Sequence, residues 1–281
     1  MPELPEVETV KRAIADAALS HQIVDVMKSG LKMRWAIPES IKETLTDLTI
    51  YGVRRRGKYI LVDVGRNEVT DTMIIHLGMS GSVRIYPNKS NIEPKKHDHL
   101  TIRTKHHESG VTLVLNDPRR FGGVQLIPAK NAEDHPLLTH LGVEPLSDAM
   151  NTKMMIEAFQ KRGAPIKAAL LDQHIIAGIG NIYASEALYR AGISPKRLAK
   201  NVSKPNIERL CMAVKSVLED AIAQGGTSLR DHVQPGGEIG YFVQSLDVYG
   251  RSGKPCNKCS TPIKEIKQSG RTSFYCSTCQ R

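Results

Sequence analysis

CNKCSTPIKEIKQSGRTSFYCSTC, residues 256–279, decides how this chain ends. Two C-x2-C pairs, Cys256/Cys259 and Cys276/Cys279, stand sixteen residues apart, within the spacing range of four-thiolate zinc ribbons whose paired knuckles present sulfur tetrahedrally. Chance thiols or a redox pair would not need two matched pairs on a segment with too little apolar content for a core of its own. With all four positions filled by protein, one Zn2+ has no open site for a substrate, and its role is structural. Lys254, Lys264, Lys267 and Arg271 lie in the same stretch, and phosphate is the simplest partner for that charge.

The rest of the chain has the same electrostatic bias. Lysine and arginine number 39 against 29 acidic residues, a net charge of +10 that favours a polyanion, with nucleic acid first. No apolar run approaches the roughly 18 residues of a spanning helix, which argues against a membrane partner. MPELPEVETV opens with acids and prolines in place of a basic region and an apolar one, so no secretory leader is read and the expected location is the cytoplasm. Cys211 stands alone in a helical pattern and is read as a buried apolar filler, not part of a disulfide framework.

The 281 residues, 40% of them hydrophobic, suit two domains plus the zinc element, and the pattern along the chain predicts an α+β protein. Leu4, Val7, Val10, Ile14 and Ala17 recur at helical spacing, with Pro5 suited to a first turn and Glu6 and Glu8 complementing the helix N-terminus. From about residue 21 to 128 the signal changes to short runs such as QIVDVM, KYILVDV, TMIIHLGM, HLTIRT, VTLVLN and GVQLI, read as an antiparallel β-sandwich or barrel. Helical patterns dominate from about 151 to Gln224, and the glycine-rich residues 225–250 read as a long loop with strands leading into the ribbon. The expected boundaries are 1–130 for the β-sandwich domain, 131–150 for a linker, 151–240 for the helical domain and 241–281 for the ribbon.

A proline after the initiator methionine is normally exposed by removal of Met1. Pro2 would then carry a secondary amine with an acid, Glu3, beside it. An α-amino group titrates near pH ~8, about two units below lysine, so it is a usable nucleophile that can attack a sugar carbon and form an iminium. Taken alone, Pro2 is more often just a helix-initiating residue.

MPELPEVETV (1–10), RRRGKYI (54–60), HLGMSG (76–81), NDPRRFGG (116–123), LLDQHIIAGIGNIYASEALYRAGISP (170–195), GYFVQSLDVYGRSGKPC (240–256) and GRTSFYCSTCQ (270–280) together resemble bacterial formamidopyrimidine-DNA glycosylases, colinearly from first residue to last. The resemblance implies an enzyme of base-excision repair that flips an oxidised purine nucleotide out of duplex DNA and cuts the glycosidic bond and the backbone. It implies Pro2 as the nucleophile and Glu3 as the general acid, with Lys58 and Arg271 as proton donors of the two eliminations; a guanidinium is better suited to holding phosphate. Met79, Arg119 and Phe121 match the family's void-filling residues. His97, Arg119 and Arg162 match its DNA contacts, with the extended NKSNIEPKK segment (88–96) preceding His97. Lys167 and Asn181 match positions near the lesion or its phosphates, and Glu186 a position that helps to organise the N-terminus. Residues 178–195 resemble a helix-two-turns-helix, whose glycine turns bring backbone amides to phosphate, and the loop at Thr227–Tyr241 is expected to close over the everted base. The expected partner is damaged double-stranded DNA, bound by a monomer.

Read without the family, Met79 and Phe121 are as easily core side chains, Arg54–Lys58 a solvated charge run, and GIGN (178–181) a weak motif that lacks the strand of a dinucleotide fold. The competing functions are a non-enzymatic zinc-ribbon DNA binder and an endonuclease VIII-like enzyme acting on oxidised pyrimidines. PELPE and PRRF favour the purine branch.

Overall fold

A computed structural model describes residues 2–88, 92–227 and 245–281. The described chain forms two compact units, residues up to Thr139 with Gly225–Thr227, and His140–Gln224 with the residues from 245 onward.

The first unit opens with helix α1, Leu4–Ala18. Pro5 sits in its first turn, and the Glu6 carboxylate accepts the Glu3 N–H at 2.8 Å, so residues 3–6 close a capping box. Val7, Val10, Ile14 and Ala18 are buried on one stripe; Ala18 takes the core position that the spacing gave to Ala17, because i, i+4 from Ile14 keeps the same face. Strand β1 (Gln22–Lys28) and the short helix α2 (Ile41–Leu45) follow. Seven further antiparallel strands complete the unit: β2 (Thr49–Arg56), β3 (Tyr59–Gly65), β4 (Asp71–His76), β5 (Ser82–Pro87), β6 (Asp98–Lys105), β7 (Val111–Asn116) and β8 (Gly123–Pro128).

The strand order is β5-β7-β6-β1-β2-β3-β4-β8. β1 and β2 share one register pair, Gln22 with Thr49, so the sheet folds there into two four-stranded halves. One core joins them, with Val26, Leu100, Ile102, Leu113 and Leu115 from one half and Ile50, Ile60, Val62, Met73 and Ile75 from the other. Of the sandwich or barrel expected from the short β-rich runs, this is the β-sandwich. Outside the core, Arg54 grips Asp63 through two hydrogen bonds of 2.7 and 3.1 Å and reaches Glu133 at 2.7 Å. Arg55 donates to Glu8 at 2.9 Å.

The short helix α3 (Pro136–Thr139) ends the first unit's main run, and the second unit contains α4 (Thr152–Phe159), α5 (Ile166–Leu170), α6 (Asn181–Arg190) and α7 (Lys204–Ala223). Cys211 lies on the buried stripe of α7, as its lone occurrence suggested. The chain ends in a hairpin, β9 (Lys264–Gln268) and β10 (Arg271–Tyr275), joined by Ser269 and Gly270. Both turn residues have positive φ, 47° and 74°, as a two-residue turn matched to strand twist requires. Tyr189 of α6, Val248, Ile263, Cys256 and Cys276 form one small core, which attaches the ribbon to the helices.

Candidate active site and zinc centre

In the first unit the chemistry starts at the N-cap of α1. Pro2 and Glu3 are both buried. Glu6, 2% exposed, binds two separate backbones: one carboxylate oxygen accepts the Glu3 N–H, and the other accepts the N–H and Oγ1 of Thr227 at 2.8 and 2.9 Å. Gly226 has φ +79°, and a Cβ there would come within 2.9 Å of the same oxygen. The rest of the expected capping loop, residues 228–241, lies outside the described residues. Glu6 thus holds the backbone that carries Glu3, a role for which sequence analysis saw only a favourable charge at a helix end.

Lys58 follows Gly57 (φ +55°) in the tight turn between β2 and β3. The basic run RRRGK is divided by the fold: Arg54 and Arg55 are committed to carboxylates, while Lys58 sits at the turn. Glu8, which takes Arg55, is pushed up by burial, but hydrogen bonds from Lys11, Arg55 and Arg12 outweigh this and hold it at about 2. His76, at the end of β4, is held down to about 4 by burial and by the charges of Lys58 and Arg34, against the opposing pull of Asp117. The Lys58 charge is therefore felt at His76, and the imidazole is neutral at pH 7.

Met79, Arg119 and Phe121 come together on two loops, 77–81 and 117–122, and line one pocket of about 800 Å3 with Lys32, Arg34, His76 and Arg120. Phe121 is 46% exposed, so it is not the core side chain its type suggests, and the Arg119 guanidinium lies 5.0 Å from its ring centroid. The loops touch backbone to backbone at Gly78 (φ +65°), where a Cβ would fall 2.3 Å from the Gly122 nitrogen. Asp117, fully buried, supports the tip: it accepts the Ser80 hydroxyl at 2.6 Å, the Arg119 N–H at 3.3 Å and the Gly122 N–H at 2.8 Å. His97 lies beside this loop, its carbonyl accepting the Asp117 N–H at 3.0 Å. Asp117 and His76 were not singled out by sequence analysis; the Asn-Asp-Pro turn chemistry of residues 116–118 was the available signal.

In the second unit, Gly178 (φ +85°) and Gly180 lead into α6. Gln173 holds this turn, accepting the Gly178 N–H at 2.8 Å and donating to the Ile179 carbonyl at 2.9 Å. The N-cap residue is Gly180, which has no side chain of its own to close the first turn of the helix. The Lys167 ammonium is 2% exposed and donates to the Thr272 carbonyl at 3.2 Å and to Ser273 Oγ at 2.9 Å. Asn181 Nδ2 donates to the same carbonyl at 2.9 Å. Both side chains thus hold strand β10 immediately after Arg271, which is exposed at its start. Arg162 is paired with Asp172 at 2.8 Å. Glu186, expected to help organise the N-terminus, accepts the amides of Asp247, Val248 and Tyr249 at 2.8–3.0 Å and so fixes the entry to the ribbon. Burial pushes its carboxyl up, against the pull of those three amides.

The four cysteine sulfurs lie within 4.8 Å of one another. Tetrahedral Zn–S bonds of about 2.3 Å require S···S edges of about 3.8 Å. Cys256 and Cys279 are 3.9 Å apart and Cys259 and Cys276 3.4 Å, close to that edge length, so the donor set fits one zinc ion. Tyr189 OH lies 3.3 Å from Cys256 Sγ, a donor to a thiolate ligand from outside the coordination sphere.

The profile of the formamidopyrimidine-DNA glycosylase N-terminal domain matches residues 1–124, that of the formamidopyrimidine-DNA glycosylase H2TH domain residues 141–233, and that of the zinc finger found in FPG and IleRS residues 253–281. Formamidopyrimidine-DNA glycosylases of Gluconobacter oxydans and Paracoccus denitrificans are 47% and 46% identical, each over the full length of both chains. The chain belongs to the formamidopyrimidine-DNA glycosylase family. The fold agrees with the solved structure of Lactococcus lactis Fpg in complex with DNA containing an abasic site, at a TM-score of 0.89 and 33% identity over 99% of each chain. It agrees also with MutM (Fpg) of Thermus thermophilus, at 0.85 and 35% over 99% of this chain and 98% of that one. As a member of this family the chain is an enzyme, with a four-cysteine zinc finger. No helix among the described residues is long and apolar enough to cross a membrane.

Proposed function

We propose that this chain, acting as a monomer in the bacterial cytoplasm, removes oxidised purines such as 8-oxoguanine and formamidopyrimidines from duplex DNA and then cleaves the strand at the emptied site. The observation that carries this reading is the pocket around Met79, Arg119 and Phe121. An exposed aromatic ring stacked under a guanidinium, beside a flexible apolar side chain and lined by cations, suits filling the hole left by an extruded nucleotide. Arg119 has donors for the base opposite the lesion.

With Met1 removed, the Pro2 nitrogen attacks C1′ of the flipped nucleotide while Glu3 assists ring opening and protonates the departing base. The resulting iminium accepts the electron pair released when a C2′ proton leaves, and the bond from C3′ to the 3′ phosphate breaks. Lys58 supplies a proton for this first elimination. A second elimination breaks the bond at C5′, with Arg271 holding the phosphate or donating a proton, and leaves a gap flanked by two phosphates. His97, Arg162, Lys167 and Asn181 act on the DNA side, the last two by holding β10. The zinc supplies the folding energy that presents Arg271.

Incubation with a labelled duplex carrying 8-oxoguanine opposite cytosine tests this reading. A one-nucleotide gap with phosphate on both ends is the expected product. An intact strand with bound DNA would leave a non-enzymatic binder, and excision of oxidised pyrimidines alone would favour the endonuclease VIII-like reading.

A further inference from the structure

The second unit carries a pocket that none of the proposed catalytic residues lines, bordered on one side by the zinc ligand Cys279. It measures about 560 Å3 and lies at the C-terminal end of α6, where Arg190, Arg197, Arg209, Lys258 and Arg281 surround Gly192. α6 has ten residues, so the pocket lies about 15 Å from the amides at Asn181. Its walls are fixed. The Arg281 N–H donates to the Gly192 carbonyl at 3.1 Å, and the Ser194 N–H returns to the Arg281 carbonyl at 3.2 Å. The buried Gln280 bridges from the Cys276 N–H to the Ile193 carbonyl at 2.8 and 2.9 Å.

The cations here are largely uncompensated. Arg190 pairs with Asp220 at 2.6 Å. Arg209 is spent on neutral oxygens, Asn206 Oδ1 at 2.6 Å and the Ala191 carbonyl at 3.5 Å. Among the described residues, no carboxylate lies within 4.0 Å of the charged groups of Arg197, Arg209, Lys258 or Arg281. A helix C-terminus favours nearby cations, which accounts for Arg190 and Arg209. It does not account for Lys258 and Arg281, which the ribbon brings from its two separate knuckles.

We propose that this pocket binds an acidic peptide segment of a partner protein. Four of the five cations are guanidiniums, whose planar forks match carboxylates in pairs. A concave pocket of about 560 Å3 admits a short extended chain, whereas a duplex presents convex phosphate ridges on either side of its grooves. Single-stranded nucleic acid would want an open aromatic face for stacking. The one aromatic ring here, Tyr189, is 2% exposed and covered by the Lys258 ammonium at 5.2 Å. The inference goes beyond the proposed function and places a partner at the opposite end of α6 from its proposed phosphate contact.

The test is fluorescence anisotropy of a labelled hexa-aspartate peptide with the zinc-loaded full chain, compared with the double variant Arg197→Glu, Arg209→Glu. Saturable binding is expected, weakened at least about tenfold in the variant, which keeps native excision of lesion duplex and melts only slightly lower because the α6 C-terminus loses a favourable cation. A short duplex at saturation is expected to leave the peptide bound. No peptide binding by the native chain, equal binding by the variant, or displacement by duplex would overturn the proposal, the last by assigning these cations to the DNA surface. The peptide measurement does not depend on catalysis, so it reads independently of whether the proposed reaction is observed.

Discussion

Asp117→Asn is the most informative single change in the first unit. The carboxylate is fully buried and accepts three donors, Ser80 Oγ, the Arg119 N–H and the Gly122 N–H, at 2.6, 3.3 and 2.8 Å. Asparagine fills the same volume, but in either amide orientation its NH2 faces a backbone N–H. At least one charge-assisted bond is lost and one donor is left facing another, which costs about 2–3 kcal/mol. For a unit of this size that lowers the melting temperature by about 4–12 °C. The greater effect is on placement, because the same carboxylate sets the tip that carries Arg119 and Phe121. Single-turnover excision of 8-oxoguanine is expected to slow about 10–100-fold. Cleavage of a preformed abasic duplex, which needs no base extrusion, should slow less. Thermal melts and rapid-quench gels measure both. Native melting temperature together with a native excision rate would refute the role given to Asp117 in building the pocket.

Other expected outcomes follow from the ion pairs and the ribbon. Glu8 is held at about 2 against an ordinary 4.5, a difference of about 3 kcal/mol; because its folded value is depressed, that stability is present above pH 4.5 and lost as pH falls toward 2. The stability gap between native chain and Glu8→Gln should therefore be widest at neutral pH and close below pH 3 in denaturant titrations. Removing zinc with a chelator, or Cys276→Ser, should release the ribbon and abolish tight DNA binding in gel shifts, since structural zinc contributes on the order of 10 kcal/mol to such folds. Lys167→Met should weaken binding to lesion duplex through β10. In a double-mutant cycle Arg271→Ala should then add less than it does alone, whereas additive losses would mean that Lys167 acts elsewhere.

Much of this architecture was legible in the residues. The short runs QIVDVM and VTLVLN, rich in β-branched residues, marked strands β1 and β7, and the paired C-x2-C spacing marked a donor set of the right size for one ion. Strands β2 and β5 were not among the runs named; TIYGVRRR ends in three arginines and has a register shift between Ile50 and Gly52. Lys167 and Glu186 were matched to functional positions, but their hydrogen bonds were not readable. The partners of Lys167 stand more than a hundred residues away, and those of Glu186 more than sixty. A buried ammonium and a buried carboxylate look like surface charge in any local window. The split of the Arg54–Lys58 run was hidden for the same reason: the carboxylates that take Arg54 and Arg55 belong to β3, to Glu133 and to α1.

The central claim is that the Pro2 nitrogen makes a covalent bond to the sugar. Borohydride trapping on an 8-oxoguanine–cytosine duplex tests it directly, using the native chain with Met1 removed, Pro2→Gly, and a form that keeps one extra N-terminal residue. A covalent protein–DNA band from the native chain, diminished in both altered forms, is the expected result. A band of undiminished strength from the extended form would contradict an N-terminal nucleophile, and no band from a native chain that binds the duplex would contradict imine chemistry altogether.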